Sequence, residues 1–106
     1  MIIKTYQDLV VFQIAYKNAM NIFEISKLFP KEEKYAITDQ IRRSSRSVCA
    51  NISEAFRRRP YVKSFALRLN DAEAEASETQ VWIKFSYNTI IAKIVVMINQ
   101  AGKWKI

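Results

Sequence analysis

A chain of 106 residues with a single glycine, Gly102, and two prolines, Pro30 and Pro60, has almost nowhere to break. Tight β-hairpins of the Asn-Gly kind are absent, and the apolar residues recur at three- and four-residue steps instead of alternating. Leu9, Phe12, Tyr16, Ala19 and Phe23 mark one face of a first helix. It is expected to begin after Thr5 and to end near Phe29-Pro30, because the residue before a proline is pushed out of the α region. Ile37, Ile41, Val48, Ile52 and Phe56 stripe a second helix over about residues 32–59, with the small Ser45 and Ala55 between them. Pro60 then stands where a third helix starts, at a position that needs no amide hydrogen. That helix carries Phe65, Leu69, Ala72, Ala76, Thr79 and Ile83 on one face. Ser86-Tyr87-Asn88-Thr89 is the expected turn, with Asn88 or Thr89 capping a fourth helix that runs to about Ala101. Short connections between four helices predict an all-α, antiparallel up-and-down four-helix bundle in one domain over residues 1–106.

That bundle has more apolar surface than one core needs. Helix 1 has a second stripe of Val11, Ala15, Ile22, Ile25 and Phe29. On helix 3, Leu67, Ala74, Val81 and Phe85 fall nearly opposite the core stripe at about 100° per residue, and between Ile90 and Ile98 only Lys93 is charged. A small core can absorb such a surplus, but self-association through the second stripes explains it better. The expected interface is Leu67, Ala74, Val81, Phe85, Ile91 and Val95. Membrane association fits less well: the longest apolar run, 94–98, falls far short of the roughly 20 residues that cross a bilayer, and no adequate basic face accompanies it.

Composition removes several chemistries. There is no histidine, which deprives the chain of the commonest general base and metal ligand, and one cysteine, Cys49, makes neither a zinc site nor an internal disulfide. The lone Gly102 leaves no glycine-rich phosphate loop. Asp71, Glu75 and Glu78 share a face of helix 3, yet without convergent ligands from elsewhere they read as a solvated or salt-bridged surface. The expectation is a chain with no catalytic residue, cofactor or metal. A lone cysteine and a start, Met1-Ile2-Ile3-Lys4, that turns polar at once suit a cytoplasmic protein without a signal peptide.

Lys and Arg number 17 against 10 Asp and Glu, a net charge of +7. Residues 31–68 hold 10 of those 17 cations. On helix 2, Arg42, Arg46 and Arg57 fall on one side, about 130° from the apolar stripe, with Arg43 beside them. Arginine's planar fork suits bidentate phosphate contact. The acids of helix 3 are expected to meet some helix 2 arginines, which leaves the Arg57-Arg58-Arg59 corner and Lys63 for an anionic partner. Specific base readout is not expected, since no reading motif is present.

Several motifs bear a family likeness. Tyr6-Gln7-Asp8-Leu9-Val10-Val11-Phe12-Gln13 resembles the F-x-D-L-x-V-W-Q opening of the 23S rRNA intervening-sequence proteins, also called four helix bundle proteins. So do Phe29-Pro30-Lys31-Glu32-Glu33-Lys34-Tyr35 and Thr38-Asp39-Gln40-Ile41-Arg42-Arg43-Ser44. Ser47-Val48-Cys49-Ala50-Asn51-Ile52-Ser53-Glu54-Ala55-Phe56 is similar to the family's S-I-x-x-N-I-A-E-G-F, and Glu78-Thr79-Gln80-Val81-Trp82-Ile83 and the stretch from Met97-Ile98-Asn99 to Trp104 also fit. The resemblance covers nearly the whole chain. It implies a four-helix bundle assembled into a ring, typically a homopentamer. Some members are encoded inside intervening sequences of bacterial 23S rRNA genes, and a relative, the accessory protein of diversity-generating retroelements, is a basic pentamer that binds nucleic acid and a reverse transcriptase. It implies no catalytic residues, and most members have no assigned activity. Ala55 replaces the family's glycine, which favours an uninterrupted helix 2, and the hairpin between helices 3 and 4 is shorter by about ten residues.

The resulting expectation is a non-enzymatic homo-oligomer that binds structured RNA or another nucleic acid, with Arg42, Arg43, Arg46, Arg57, Arg58, Arg59 and Lys63 on phosphates. The alternative is a protein–protein scaffold with no nucleic-acid role.

Overall fold

The computed structural model describes residues 2–103, and their side chains as far as Asn88. The described residues are helical, with no strand. A 3-10 turn over Tyr6–Asp8 leads into α1, Val10–Ser26. The Asp8 carboxylate closes this entry by accepting the amides of Lys4 at 2.8 Å and Thr5 at 3.1 Å, and these bonds hold its pKa below the ordinary value.

α1 ends at Ser26, a few residues ahead of the expected stop at Phe29-Pro30, because i→i−3 turns at Lys27, Leu28 and Phe29 lead into the proline, and α2 does not start at once. A 3-10 turn, Lys31–Glu33, and a π-helical turn, Lys34–Thr38, come first, and α2 spans Asp39–Arg57. The π turn sets Ile37 and Thr38 into the core ahead of Ile41. With Ala55 in place of glycine, α2 runs unbroken to the corner at residues 58–60, and Ala55 is 1 % exposed.

α3 begins at Val62 and continues to Lys103 as one helix of 42 residues. The turn expected at residues 86–89 does not form, so the expected third and fourth helices are a single element and the described chain has three helices. The physical reason lies in the residues: neither glycine nor proline interrupts this stretch, and Ser, Asn and Thr cost only some tenths of a kcal/mol inside a helix. Ser86 donates its hydroxyl to the Trp82 carbonyl oxygen at 2.8 Å, so its side chain is satisfied within the helix instead of capping a new one.

α2 is the centre of the molecule, packing on α1 on one side and α3 on the other. The α2–α3 pairing is antiparallel, since Arg58 reaches Ser64 while Ser44 reaches Thr79. Small residues make this contact close. Thr79 Oγ1 hydrogen-bonds Ser44 Oγ at 2.8 Å and the Glu75 carbonyl oxygen at 2.8 Å, and Ser44 is fully buried. Around this pair lie the buried Ile41, Ile52, Ala55 and Ala72.

By that register the first residue of α2 stands level with about residue 84 of α3. Some 28 Å of α3, at about 1.5 Å per residue, therefore runs past the end of α2. The long dimension is 69 Å and the radius of gyration 18.4 Å, against about 13 Å for a compact domain of this length.

Candidate nucleic-acid interface

The arginines of α2 gather because Arg42, Arg43, Arg46 and Arg57 lie within about 100° of one another on the helix, opposite the buried stripe. With Asp39, Ser47 and Ala50, the first three line a shallow open depression on the outer face.

Within that face the arginines are not equivalent. Arg43 turns towards α3, where its Nη1 lies 3.3 Å from Glu75 Oε2 and its Nη2 meets Glu78. This is the pairing with helix 3 acids that the charge pattern suggested. Arg42 and Arg46 turn the other way, onto the Phe23 ring of α1, with guanidinium carbons 4.6 Å and 5.4 Å from its centroid. Lys27 lies 4.9 Å from the same ring. Arg42 Nε also donates to Ser26 Oγ at 2.6 Å, which fixes the plane of its fork and leaves its terminal nitrogens available. Among the described residues neither Arg42 nor Arg46 has a carboxylate in ion-pair range.

The corner after α2 shows the same division. Glu54 accepts from Arg57 Nη2 at 2.8 Å and Arg58 Nε at 2.8 Å, and Arg58 also reaches Ser64. Bonding to Arg57 and then to Arg58 pulls the Glu54 carboxyl down to about 2, and the same pairing raises the Arg57 pKa. Arg59 has no acidic partner among the described residues. Its guanidinium lies 3.9 Å from the Phe56 ring centroid and its Nη1 donates to the Phe56 carbonyl oxygen at 2.8 Å. Lys63 is exposed at the start of α3 without an ion pair among the described residues.

The expected phosphate contacts thus divide into paired cations, Arg43, Arg57 and Arg58, and unpaired ones, Arg42, Arg46, Arg59 and Lys63. The i, i+3 and i, i+4 spacing of Glu54 to Arg57 and Arg58 was the available signal for the corner pairing. Phe23 gave no such signal, since its spacing marks it as core.

Four residues of the expected interface stripe have described side chains. Leu67, Ala74, Val81 and Phe85 are exposed, whereas the side chains of Ile91 and Val95 lie outside the described residues. The larger apolar feature is elsewhere. On the side of the molecule away from the arginines, Val11, Ile14, Ile22 and Ile25 of α1 face Ile83 of α3 across an open groove floored by Val48 and Ile52. The second stripe of helix 1 supplies its wall.

Among the described residues no group of His, Cys, Asp and Glu is placed to hold a metal ion, and no helix is long and apolar enough to cross a membrane. Cys49 is half-buried with its pKa raised by desolvation, the opposite of an activated thiol.

The family model of the 23S rRNA-intervening sequence protein matches residues 7–96. The chain belongs to this family. The match takes in all of α1 and α2 and both arginine groups of this 23S rRNA-intervening sequence protein. No curated protein and no solved structure matches the chain.

Proposed function

We propose that this 23S rRNA-intervening sequence protein is a non-enzymatic, self-associating helical protein that binds structured RNA or another nucleic acid through the outer face of α2. The observation that supports the reading best is the pair Arg42 and Arg46. Both lie over the Phe23 ring, neither has a carboxylate partner among the described residues, and the Arg42 fork, held by Ser26, suits phosphate oxygens. Arg59, held on Phe56, and Lys63 extend the same charge around the corner. Contacts of this kind give affinity without sequence discrimination. The resemblance implies a ring of subunits, typically five, and any closed assembly would repeat the patch.

Binding of a labelled RNA hairpin, followed by fluorescence anisotropy across a salt series, tests the reading. Phosphate contacts predict a log–log slope of about −0.9 per contact, and replacing Arg42, Arg46, Arg59 and Lys63 by Ala should abolish binding while helicity stays unchanged. Unchanged binding by that variant, or no binding by the native chain at low salt, rejects the reading. The exposed Leu67, Val81 and Phe85 favour the second reading, a protein–protein scaffold, and the absence of any nucleic-acid binding would turn the case to it.

A further inference from the structure

We infer that the corner between α2 and α3 takes an unpaired nucleotide, with its base stacked on Tyr61 and the phosphates on either side held by Arg59 and Lys63. This narrows the proposed function, on which it rests, to nucleic acid that offers a single-stranded stretch, such as a loop or an overhang.

The sequence interleaves the chemistry that such a site needs. In Arg57-Arg58-Arg59-Pro60-Tyr61-Val62-Lys63 the aromatic ring stands two residues from a cation on each side. Pro60 restricts the backbone ahead of the ring. The Tyr61 amide donates to the Arg58 carbonyl oxygen at 2.9 Å, and the Tyr61 carbonyl oxygen accepts the Phe65 amide at 2.8 Å. The chain is thus fixed on both sides of the ring, and a base that lands there has little left to order.

The fold leaves this ring unused. Tyr61 is 68 % exposed, and among the described residues no ring, cation or hydrogen-bond partner meets its side chain. The other aromatic rings beside the arginines are occupied. Phe23 has Arg42, Arg46 and Lys27 against it, and Phe56 has Arg59, so a base approaching either ring competes with a cation already there. Tyr35 carries Lys34 at 5.4 Å from its centroid. Tyr87 matches Tyr61 in exposure, at 64 %, but it lies on the stretch of α3 beyond the end of α2. Within four residues of Tyr87 the one cation is Lys84, whereas Arg57, Arg58, Arg59 and Lys63 all stand within four of Tyr61.

Each part answers one part of a nucleotide. Every base has a π-face, so stacking on Tyr61 tolerates any sequence. Arg59 spends Nη1 on the Phe56 carbonyl oxygen, which leaves its other guanidinium nitrogens for a phosphate. Lys63 supplies a mobile point charge on the far side. Inside a duplex the bases cover one another's faces, so Tyr61 adds affinity only where a base is unpaired.

Fluorescence anisotropy with two labelled probes, a short oligouridine strand and a blunt RNA duplex, reads the outcome at one low salt concentration. Tyr61→Ala should weaken binding of the strand by about 5–150-fold and leave the duplex within about twofold, with helicity by circular dichroism unchanged. Tyr61→Phe keeps the stacking face and should bind the strand like the native chain, and so should Tyr87→Ala. An equal loss for strand and duplex, no loss for the strand, or a matching loss in Tyr87→Ala would each overturn the stacking site while leaving the proposed function in place. A native chain that binds neither probe would reject the proposed function and the stacking site with it.

Discussion

On its outer side α2 presents Arg42, Arg43 and Arg46 to water, held by a ring, a hydroxyl and two carboxylates. On its inner side it presents Ser45, Val48 and Ile52 to a groove with no charged residue among the described ones that line it. One face works by charges that remain largely hydrated, the other by apolar area. Surface ion pairs contribute about 0–1 kcal/mol each and weaken with salt. Burial contributes roughly 25 cal/mol per Å² and is not screened by salt. The two faces should therefore answer to different perturbations.

The largest separation should come from the groove floor. Ile52→Ala is expected to lower unfolding free energy by about 2–4 kcal/mol, equally at low and high salt, in urea titrations. A loss below about 1 kcal/mol would mean that the floor is not packed. On the outer face, Arg42→Ala with Arg46→Ala should weaken RNA binding by about 10–100-fold and flatten the salt slope by about 1.8, leaving stability nearly unchanged. Arg43→Ala should weaken binding far less, because Glu75 and Glu78 already neutralise that cation. Equal losses for Arg42 and Arg43 would erase the distinction between unpaired and paired arginines.

A smaller effect belongs to the hydroxyl pair between α2 and α3. Thr79→Val removes the hydroxyl that bonds the fully buried Ser44 Oγ, leaves Ser44 only its long 3.4 Å bond to the Ile41 carbonyl oxygen, and should cost about 1 kcal/mol. Adding Ser44→Ala should return part of that cost, since neither hydroxyl is then left behind. Strict additivity in the cycle would show that the bond contributes nothing.

The smallest effect is a pH dependence at the corner. The Glu54 carboxyl is held at about 2 against an ordinary 4.5. Its contribution is therefore complete above about pH 4.5 and disappears as pH falls towards 2. Thermal unfolding of the native chain and of Glu54→Gln should differ by a constant amount above about pH 5 and converge below it. Glu54→Gln should also strengthen RNA binding at neutral pH by releasing Arg57 and Arg58; weaker binding would make Glu54 an organiser of the corner instead of a competitor for it.

The helical class, the end of a first helix ahead of Pro30, the stripe of α2 and the unbroken passage through Ala55 were legible because each follows from local chemistry. So was the outward gathering of Arg42, Arg46 and Arg57, which needs only the helical period. The break after Ser86 was misread for a reason of the same kind. Ser, Asn and Thr favour caps, but nothing in them forbids a helix, and with no glycine or proline the preference was too weak to decide. Phe23 was legible as apolar but not as a platform for arginines, because that depends on how α1 lies against α2. The stripe of Val11, Ile22 and Ile25 was recognised as surplus, but its place as a groove wall depended on where α3 runs.

The exposed wall of the groove has a further consequence, in mass action. Whatever covers Val11, Ile14 and Ile25 binds the folded chain and not the unfolded one, so it raises the melting temperature by an amount that grows with its concentration. If the cover is another copy of the chain, dilution lowers the melting temperature as well as the assembly state.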